Sequence, residues 1–395
     1  MICNKCFYNA RHPFGITYDK DQVCSGCFTH QEKYSLDWRE RENTLRVNLE
    51  KILKNKKSKF DCLISVIGDA EDYHTVNKVL ELGLNPLLVG VNDYFYNDIG
   101  WHNLHNLITH FDLDSFIFNP EIYAYKELIK TSLRKYNHAL WPSFSLKTSF
   151  PVHVAIQRKI PLIIFGQNQQ IEQVGKYSHL ENTEMTAWSR VEHDLFGIDL
   201  DDILGSGGHI NILDHPYYIY PPIKKLGKGR LIGIYLSNFF AWDPLFQNSN
   251  TMKFGFMPQS QNSTFDPYER AGSSIYYSFH DLTKYLRTGY RKITDHVNRE
   301  IRHGRVSRSE GKLIISSFSN QKVFIKDFFN WLDVSKSGYQ WFKEHRLKDA
   351  LHLIAEDKQE LEEVQLKLPN KLQKLIFQGQ SSKSDYQAFL KGIRL

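Results

Sequence analysis

The sequence contains no run of eighteen apolar residues, so it offers no segment able to cross a membrane as a helix. Its N-terminus, MICNKCFYNA, lacks the charged-then-apolar pattern of a secretory signal peptide. These two absences argue against a membrane-embedded protein and make the cytoplasm the expected compartment. With 395 residues, 41% of them hydrophobic, the chain is long enough to form two or three domains with buried cores.

A strong excess of either charge is also missing. The chain has 50 Lys and Arg residues against 44 Asp and Glu residues, a formal net charge of +6. The short basic cluster KNKKSK (54–59) is typical of a solvated surface. Nucleic acid is therefore not expected as a partner, whereas small anionic substrates are compatible with this balance.

Cysteine is scarce and unevenly placed. Four of the five cysteines form two Cys-x2-Cys pairs within the first 27 residues, and Cys62 stands alone in an apolar run. Two such pairs, separated here by seventeen residues, have the spacing of a four-thiolate zinc site. Disulfides or unpaired buried thiols are the alternatives, but a cytoplasmic chain keeps its thiols reduced. We therefore predict that residues 1–34 form a ribbon around a structural zinc ion held by Cys3, Cys6, Cys24 and Cys27.

Four apolar runs predict the strands of a sheet: FDCLISVIG (60–68), NPLLVGV (85–91), DSFIFNP (114–120) and KIPLIIFG (159–166). Helical patterns separate them, such as the one from Ala70 to Leu82, which Gly83 ends. This alternation predicts an open parallel α/β sheet, whose ligands bind at the carboxyl ends of the strands. We assign residues 35–204 to this α/β domain. Residues 205–395 are expected to be mainly helical and to complete the substrate cleft, with GSGGH (205–209) as a linker.

Several motifs, in a fixed order, resemble those of one family. They are NPLLVGVN (85–92), IG-x2-NL (99–104), WP (141–142), IPLIIFGQN (160–168), GIYLSNFFAWD (233–243) and GYRKITDHVNREIRHGRVSR (289–308). Together with the four-cysteine ribbon and the following Asp37-Trp38, they are similar to the N-acetyl sugar amidotransferases of lipopolysaccharide and pseudaminic- or legionaminic-acid biosynthesis. The resemblance runs nearly end to end. It implies a sheet of the adenine nucleotide alpha hydrolase-like (PP-loop) type.

The resemblance also implies a reaction. In this family ATP adenylates the oxygen of a sugar's acetamido group, and ammonia then displaces AMP, which leaves an acetamidino group. The implied partners are an N-acetylated sugar, free or nucleotide-linked, and a glutaminase that supplies ammonia. ATP and magnesium would join zinc as cofactors, with the pyrophosphate held by backbone N–H groups at a helix N-terminus.

The turn after the first strand departs from the family's Ser-Gly-Gly-x-Asp-Ser pattern. Asp69 replaces the second glycine, and a carboxylate about 4 Å from a phosphate charge costs about 4 kcal/mol at an effective dielectric near 20. Unaided ATP binding should therefore be poor, unless Glu71 and Asp72 hold a magnesium ion that bridges to the phosphates. The alternative is that these two acids only complement the helix dipole. The resemblance places the nucleotide at Ser65, Ile67, Gly68, Asp69, Glu71 and Asp72.

The loop after the fourth strand is the second family site. The family's Gly-Glu-Asn appears here as Gly166, Gln167 and Asn168, which we expect to bind substrate, and Glu172 downstream is a candidate catalytic residue. A plain strand-to-helix turn explains Gly166 and Asn168 equally well.

A helix predicted from about Thr294 carries Asp295, Arg299 and Arg302 on one face. The resemblance favours Arg299 and Arg302 as ligands of a nucleotide-sugar phosphate, and Asp295 or His296 as the residue that moves a proton. A helix laced by exposed ion pairs is the alternative.

Two other functions are compatible with the sequence. One is a catalytically altered or inactive relative that binds the sugar as a partner protein. The other is a tRNA-thiolating PP-loop enzyme, which needs catalytic cysteines near the sheet edge, whereas only Cys62 remains, inside a strand. The amidotransferase hypothesis requires that the turn after the first strand and the arginine-bearing helix near residue 300 face a common cleft.

Overall fold

The computed structural model describes residues 1–181, 187–205, 215–222, 224 and 231–376. Of the expected linker, residues 206–209 lie outside the described residues. The N-terminal ribbon is closed by antiparallel bridges between Ile2 and Asn9 and between Tyr18 and Cys24. The helix Ser25–Glu32 begins directly after Cys24. The chain then enters the helix Trp38–Leu53, where the Asp37 side chain accepts hydrogen bonds from two backbone N–H groups.

Five parallel strands form the central sheet, in the order β3-β2-β1-β4-β5. Their bounds are β1 Cys62–Val66, β2 Pro86–Val91, β3 Ser115–Phe118, β4 Leu162–Phe165 and β5 Ile232–Tyr235. Four strands were predicted, but β5 was not, because an apolar run of four residues has no periodicity that separates it from a loop. The strand order reverses between β1 and β4, so the carboxyl ends of these two strands flank the place where open α/β sheets bind ligands.

The sheet is covered on both faces, as its apolar runs predict. Leu63, Val89 and Ile163 pack into one core cluster. Ile64 and Leu88, their neighbours along the strands, pack into the other. The covering helices are Ala70–Glu81, Asp98–His110, Ile122–Tyr136 and Trp141–Arg158.

Residues 205–395 were expected to be mainly helical; β5 joins the sheet from within this range, and most of the other described elements of the range are helices. Before and after β5 the described elements are the helices Gln169–Glu172, Ala187–Asp194, Leu200–Leu204 and Pro244–Ser249 and the 3₁₀ turns Pro216–Tyr218, Leu236–Asn238 and Asn250–Phe254. Then follow Tyr277–Thr288, Lys292–Arg302, Arg308–Ser319, Lys326–Trp331, Lys336–Arg346 and Asn370–Gln373, with 3₁₀ turns at Lys348–Leu353 and Lys358–Glu360. Two short strands, β6 Val323–Phe324 and β7 Ile354–Ala355, pair in parallel beside these helices. Across the part of the chain that is described, no helix combines the length and apolar character needed to span a bilayer.

Candidate functional site

The four N-terminal cysteines form one buried cluster. Their sulfur atoms all lie within 4.8 Å of one another, and all five cysteines of the chain are free of disulfides. The backbone N–H groups of Lys5 and Cys24 each donate to Cys3 Sγ at 3.3 Å, as suits a thiolate. A closed set of four sulfur donors fits a structural zinc ion. Cys62 is instead fully buried within β1, whereas a reactive cysteine would have to be accessible at the edge of the sheet.

A cavity of about 210 Å³ lies at the carboxyl edge of the sheet. Its walls include the turn 67–72, the loop 167–173, residues Glu269 and Arg270, and the helix Lys292–Arg302; Tyr8 reaches in from the ribbon. The turn and the arginine-bearing helix therefore do face a common cleft. Ten residues predicted for the site line it: Ile67, Asp69, Glu71, Asp72, Gln167, Glu172, Asp295, His296, Arg299 and Arg302. Ser65 lines an adjoining cavity, whereas Gly68, Gly166 and Asn168 are packed behind the walls.

The turn after β1 is filled by one of its own side chains. Asp72 Oδ2 accepts hydrogen bonds from the backbone N–H groups of Ile67, Gly68 and Asp69 at 2.7, 2.9 and 3.1 Å. Such a row of N–H groups at a helix N-terminus is the usual seat of a bound phosphate. Here the Asp72 carboxyl group already occupies it, so the turn as it stands does not fit a phosphate group.

Gly68 is required both by the conformation of this turn and by the close packing of a neighbouring helix. Its φ of +84° lies in the left-handed region, and a Cβ there would come within 2.7 Å of the Leu104 backbone nitrogen. The Tyr96 hydroxyl donates to the Ile67 carbonyl at 3.0 Å and covers the turn from the same side. The helix Asp98–His110, which contains Leu104, therefore requires a glycine at this position.

The three acids of the turn lie close together; Asp69 is buried, and Glu71 and Asp72 are half-buried. Burial raises the pKa of Asp69 to about 6, although Arg270 and the Ser273 hydroxyl, 2.8 Å from Asp69 Oδ1, work against this shift. Burial likewise raises the pKa of Glu71 to about 7 and that of Asp72 to about 8. Carboxyl oxygens in such a group suit a magnesium ion, which would relieve their mutual repulsion.

The loop after β4 is fastened to this turn. The Gln167 N–H donates to Glu71 Oε1 at 2.8 Å, and a side chain at Gly166 would collide with the same carboxylate. The Asn168 N–H donates to Ser237 Oγ at 2.8 Å, and the Asn168 side chain caps the helix Gln169–Glu172. Gly166 and Asn168 are thus explained by the strand-to-helix turn, and only Gln167 presents its side chain to the cavity.

Glu172 is held by the segment that joins the ribbon to the α/β domain. Its carboxylate forms a buried ion pair with Lys33, and His179 Nε2 lies 3.7 Å from its other oxygen. Burial raises the pKa of Glu172 in spite of the lysine. A paired carboxylate of this kind is suited to fixing the loop, and it is less available as a proton carrier than the sequence analysis expected.

Asp295 and His296 begin the wall opposite the turn. Asp295 accepts from the Tyr8 hydroxyl at 2.8 Å and lies 3.3 Å from Lys284 Nζ. Burial works to raise the pKa of Asp295, but Lys284 and Lys292 outweigh it and lower the pKa. His296 lies between the Thr264 hydroxyl at 2.5 Å and Glu269 Oε2 at 2.8 Å, so both of its ring nitrogens are engaged.

Arg299 and Arg302 also have partners within the protein. Arg299 is bound by Asp266 at 2.8 Å and by Glu300 at 2.6 Å, and both carboxylates are fully buried. Arg302 donates to the carbonyls of Glu172 and Gln173 at 3.1 and 2.7 Å. The expected role of the two arginines in phosphate binding is therefore not visible in their contacts. The alternative of exposed ion pairs is also wrong, because the pairs are buried.

Arg302 further connects the helix to the ribbon. One of its nitrogens lies 4.0 Å from Cys24 Sγ, and its guanidinium stacks over the Tyr8 ring at 5.3 Å. A buried guanidinium beside four sulfurs partly neutralises their negative charge.

Eight further residues that sequence reasoning missed line the cavity, and four of them are ionisable: Tyr8, Glu269, Arg270 and Lys292. Glu269 pairs with Lys292 at 2.6 Å and with His296. The oxygens of Asp266 and Glu269 and a nitrogen of His296 are close enough to hold a metal ion, but Arg299 and Lys292 already neutralise the two carboxylates. Lys292 could have been found, because it lies one helical turn before Asp295; nothing in the sequence distinguishes Glu269 or Arg270.

One comparison with known protein families concerns the part of the chain that forms this wall of the cavity. Residues 262–363, which include Glu269, Arg270 and the helix Lys292–Arg302, match a family described as LPS biosynthesis protein WbpG-like, C-terminal domain. No curated protein sequence matches the chain.

Two solved structures are similar in chain topology. The NMN synthetase from Francisella tularensis has 9% sequence identity and a TM-score of 0.29, and the NH3-dependent NAD synthetase from Campylobacter jejuni has 11% and 0.28. Each similarity covers 57% of this chain and 99% of the other chain.

Proposed function

We propose that this chain is an enzyme of lipopolysaccharide biosynthesis that converts the acetamido group of an N-acetylated sugar to an acetamidino group, with ATP as co-substrate. The observation that carries the proposal is the cavity at the carboxyl edge of the sheet, where the turn 67–72, the loop 167–173 and the helix Lys292–Arg302 meet. The match of residues 262–363 to the WbpG-like family supports the pathway, and the family motifs support the reaction.

In this proposal each group of residues that lines the cavity has a separate role. Asp69 and Glu71 offer carboxyl oxygens for a magnesium ion. The N–H groups of the turn are already bonded to Asp72. We therefore assign the binding of a phosphate or carboxylate group to Arg270 and Lys292 on the opposite wall. ATP would supply a good leaving group by adenylating the amide oxygen. Asp295, ionised by its lysine neighbours, is suited to accept a proton from the attacking nitrogen.

Two further elements belong to the proposal. A glutaminase supplies the ammonia in the cytoplasm, as the family resemblance implies. A structural zinc ion in the four-cysteine ribbon keeps Tyr8 against Asp295 and so maintains one wall of the cavity.

One observation favours a second candidate, a sugar-binding relative without the ATP step. The three N–H groups that would hold phosphate at the turn are hydrogen-bonded to Asp72. Such a relative would keep the sugar cavity and act as a partner of an active enzyme.

The two candidates differ in one assay. The protein is incubated with ATP, magnesium, ammonium and a panel of N-acetylated sugars, and mass spectrometry follows replacement of oxygen by NH. ATP-dependent formation of the amidine supports the enzyme. Sugar binding in a calorimeter without product, and without heat on addition of magnesium–ATP, would instead establish the second candidate.

A further inference from the structure

A second cavity of about 250 Å³ adjoins the first. The two share six residues: Gln169, Gln173, Glu269, Arg270, Lys292 and Asp295. We call the first the acidic lobe, because six carboxylates and four cations line it, and the second the basic lobe, because five cations and three carboxylates line it. The basic lobe also has aromatic walls, so it combines positive charge with apolar surface.

Most cations of the basic lobe are already paired. Lys147 lies 2.7 Å from Asp93 and Arg190 lies 2.9 Å from Asp194. Lys284 and Lys292 face Asp295 at 3.3 Å and Glu269 at 2.6 Å. A ligand that bound to any of these would have to compete with a carboxylate of the protein.

Arg270 differs from them. Among the described residues, no carboxylate lies within ion-pair distance of its guanidinium, and its Nε is shielded from solvent without a hydrogen-bond partner. A buried guanidinium nitrogen without an acceptor is costly, and a bound ligand would remove that cost.

The position of Arg270 is also built into the fold. Its backbone has a φ of +56°, a left-handed conformation that a non-glycine residue rarely adopts, and such strain is concentrated at functional sites. Its guanidinium lies over the rings of Tyr277 and Phe144 at 4.6 and 5.6 Å, which holds it between aromatic faces. The planar fork of an arginine held in this way can bind an oxyanion through two parallel hydrogen bonds.

We propose that Arg270 anchors an oxyanion subsite in the basic lobe, which binds the carboxylate or phosphate of an acidic N-acetylated sugar. The identity of the ligand as a sugar rests on the proposed function, whereas the oxyanion subsite rests on the contacts of Arg270. In this arrangement Arg270 binds the acidic group of the sugar, and the sugar ring packs against Phe144 and Tyr277. The acetamido group of the sugar is directed towards Asp295, which lines both lobes.

The test is calorimetric titration of the full chain with three probes. N-acetylneuraminic acid carries a carboxylate, UDP-N-acetylglucosamine carries a diphosphate, and N-acetylglucosamine is the neutral control. The variants are Arg270→Gln, which removes the charge, and Arg270→Lys, which keeps the charge but not the fork. Arg46→Gln, on an exposed helix outside both lobes, is the matched control for net charge.

The wild type is expected to bind at least one acidic probe more tightly than the neutral sugar, and whichever probe binds identifies carboxylate or phosphate as the group recognised. Arg270→Gln should weaken that binding at least tenfold and leave the neutral sugar within twofold, Arg270→Lys should lie between, and Arg46→Gln should match the wild type. Binding of neither acidic probe at millimolar concentration, or equal loss for acidic and neutral probes in Arg270→Gln, overturns the subsite.

The subsite and the reaction can fail separately. Arg270-dependent binding without formation of an amidine refutes the reaction and leaves the subsite standing. Amidine formation from an acidic sugar with an unchanged KM in Arg270→Gln refutes the subsite and leaves the reaction standing.

Discussion

The two lobes of the cavity differ in how their charges are satisfied. In the acidic lobe most ionisable side chains other than Arg270 have a partner in the protein: Asp72 accepts from the N–H groups of the turn, Glu172 pairs with Lys33, and Arg299 pairs with Asp266 and Glu300. Arg270, on the wall that the basic lobe shares with the acidic lobe, instead lies over two aromatic rings and has a buried nitrogen without a hydrogen-bond partner among the described residues. A buried charged group without a partner therefore indicates a ligand-binding site better than a high density of charged residues does.

This difference gives the acidic lobe a structural character. Its charges join the turn, the loop after β4, the ribbon and the helix Lys292–Arg302, and breaking them should destabilise the fold. Arg270 forms no ion pair among the described residues, although its charge lowers the pKa of Asp69, so removing it should affect ligand binding more than stability. The following experiments set these two expectations against each other.

The largest effect is expected at the ribbon, which supplies Tyr8 to the acidic lobe. Cys24→Ser removes one thiolate of the four, so bound zinc should be lost and the free energy of unfolding should fall by on the order of 5 kcal/mol. Metal analysis and thermal unfolding measure both. Cys62→Ala, a cysteine outside the cluster, should keep its zinc; equal zinc content in the two variants would show that the cluster is not the metal site.

The next largest effect separates two arginines of the cavity. Arg299→Met leaves Asp266 buried without its cation and leaves Glu300 with Arg305 alone, which should cost about 3 kcal/mol of stability or somewhat more. Arg270→Met breaks no ion pair among the described residues and removes only the longer-range attraction between Arg270 and Asp69, so it should cost about 1 kcal/mol. Chemical denaturation compares the two variants, and similar losses would remove the distinction between the lobes.

A smaller effect is expected at the turn. Asp72→Ala deprives three backbone N–H groups of their acceptor and should cost about 1 to 3 kcal/mol. Inorganic phosphate should restore part of this stability, because the emptied turn becomes an anion site at a helix N-terminus. Asp98→Ala, an exposed acid in the first turn of another helix, is the control and should not respond to phosphate. Absence of a phosphate response in Asp72→Ala would mean that the turn is not an anion cradle.

A further effect is a change in pH dependence. Burial raises the pKa of Glu71 to about 7, whereas a glutamate in the unfolded chain titrates at about 4.3. Between these values the folded state binds the extra proton, so stability falls as pH rises, by up to about 1.4 kcal/mol per pH unit. Glu71→Gln keeps an acceptor for the Gln167 N–H and should remove the part of the slope that Glu71 contributes, while the parts due to Asp69 and Asp72 remain. Unfolding curves from pH 5 to 7 that run parallel for the two proteins would contradict the prediction.

The sequence predicted most of the sheet and the meeting of the turn with the helix near residue 300. Continuous apolar runs marked β1 to β4, and the Cys-x2-Cys pairs marked the ribbon. Such features are local, and each is written in one segment. The short strand β5 had no such local signature.

Pairing was beyond the reach of the sequence. Arg299 and Arg302 stand out on a helical face, but Asp266, 33 residues before Arg299, and the carbonyl of Glu172, 130 residues before Arg302, decide what they do. Arg270 lies in no motif, and it stands out because its buried Nε has no hydrogen-bond partner among the residues that the structure describes. Sequence patterns reveal which charges reach an edge of a sheet, and only the fold reveals which remain unsatisfied.

The central claim is that the two lobes form one substrate site whose acidic group is recognised by Arg270. The most direct measurement is the crystal structure of the full chain with bound N-acetylneuraminic acid. We predict that its carboxylate lies within hydrogen-bond distance of the Arg270 guanidinium and that its acetamido group faces Asp295. A carboxylate seated on the N–H groups of the turn, with Asp72 displaced, or a sugar bound outside the two lobes, would contradict this account.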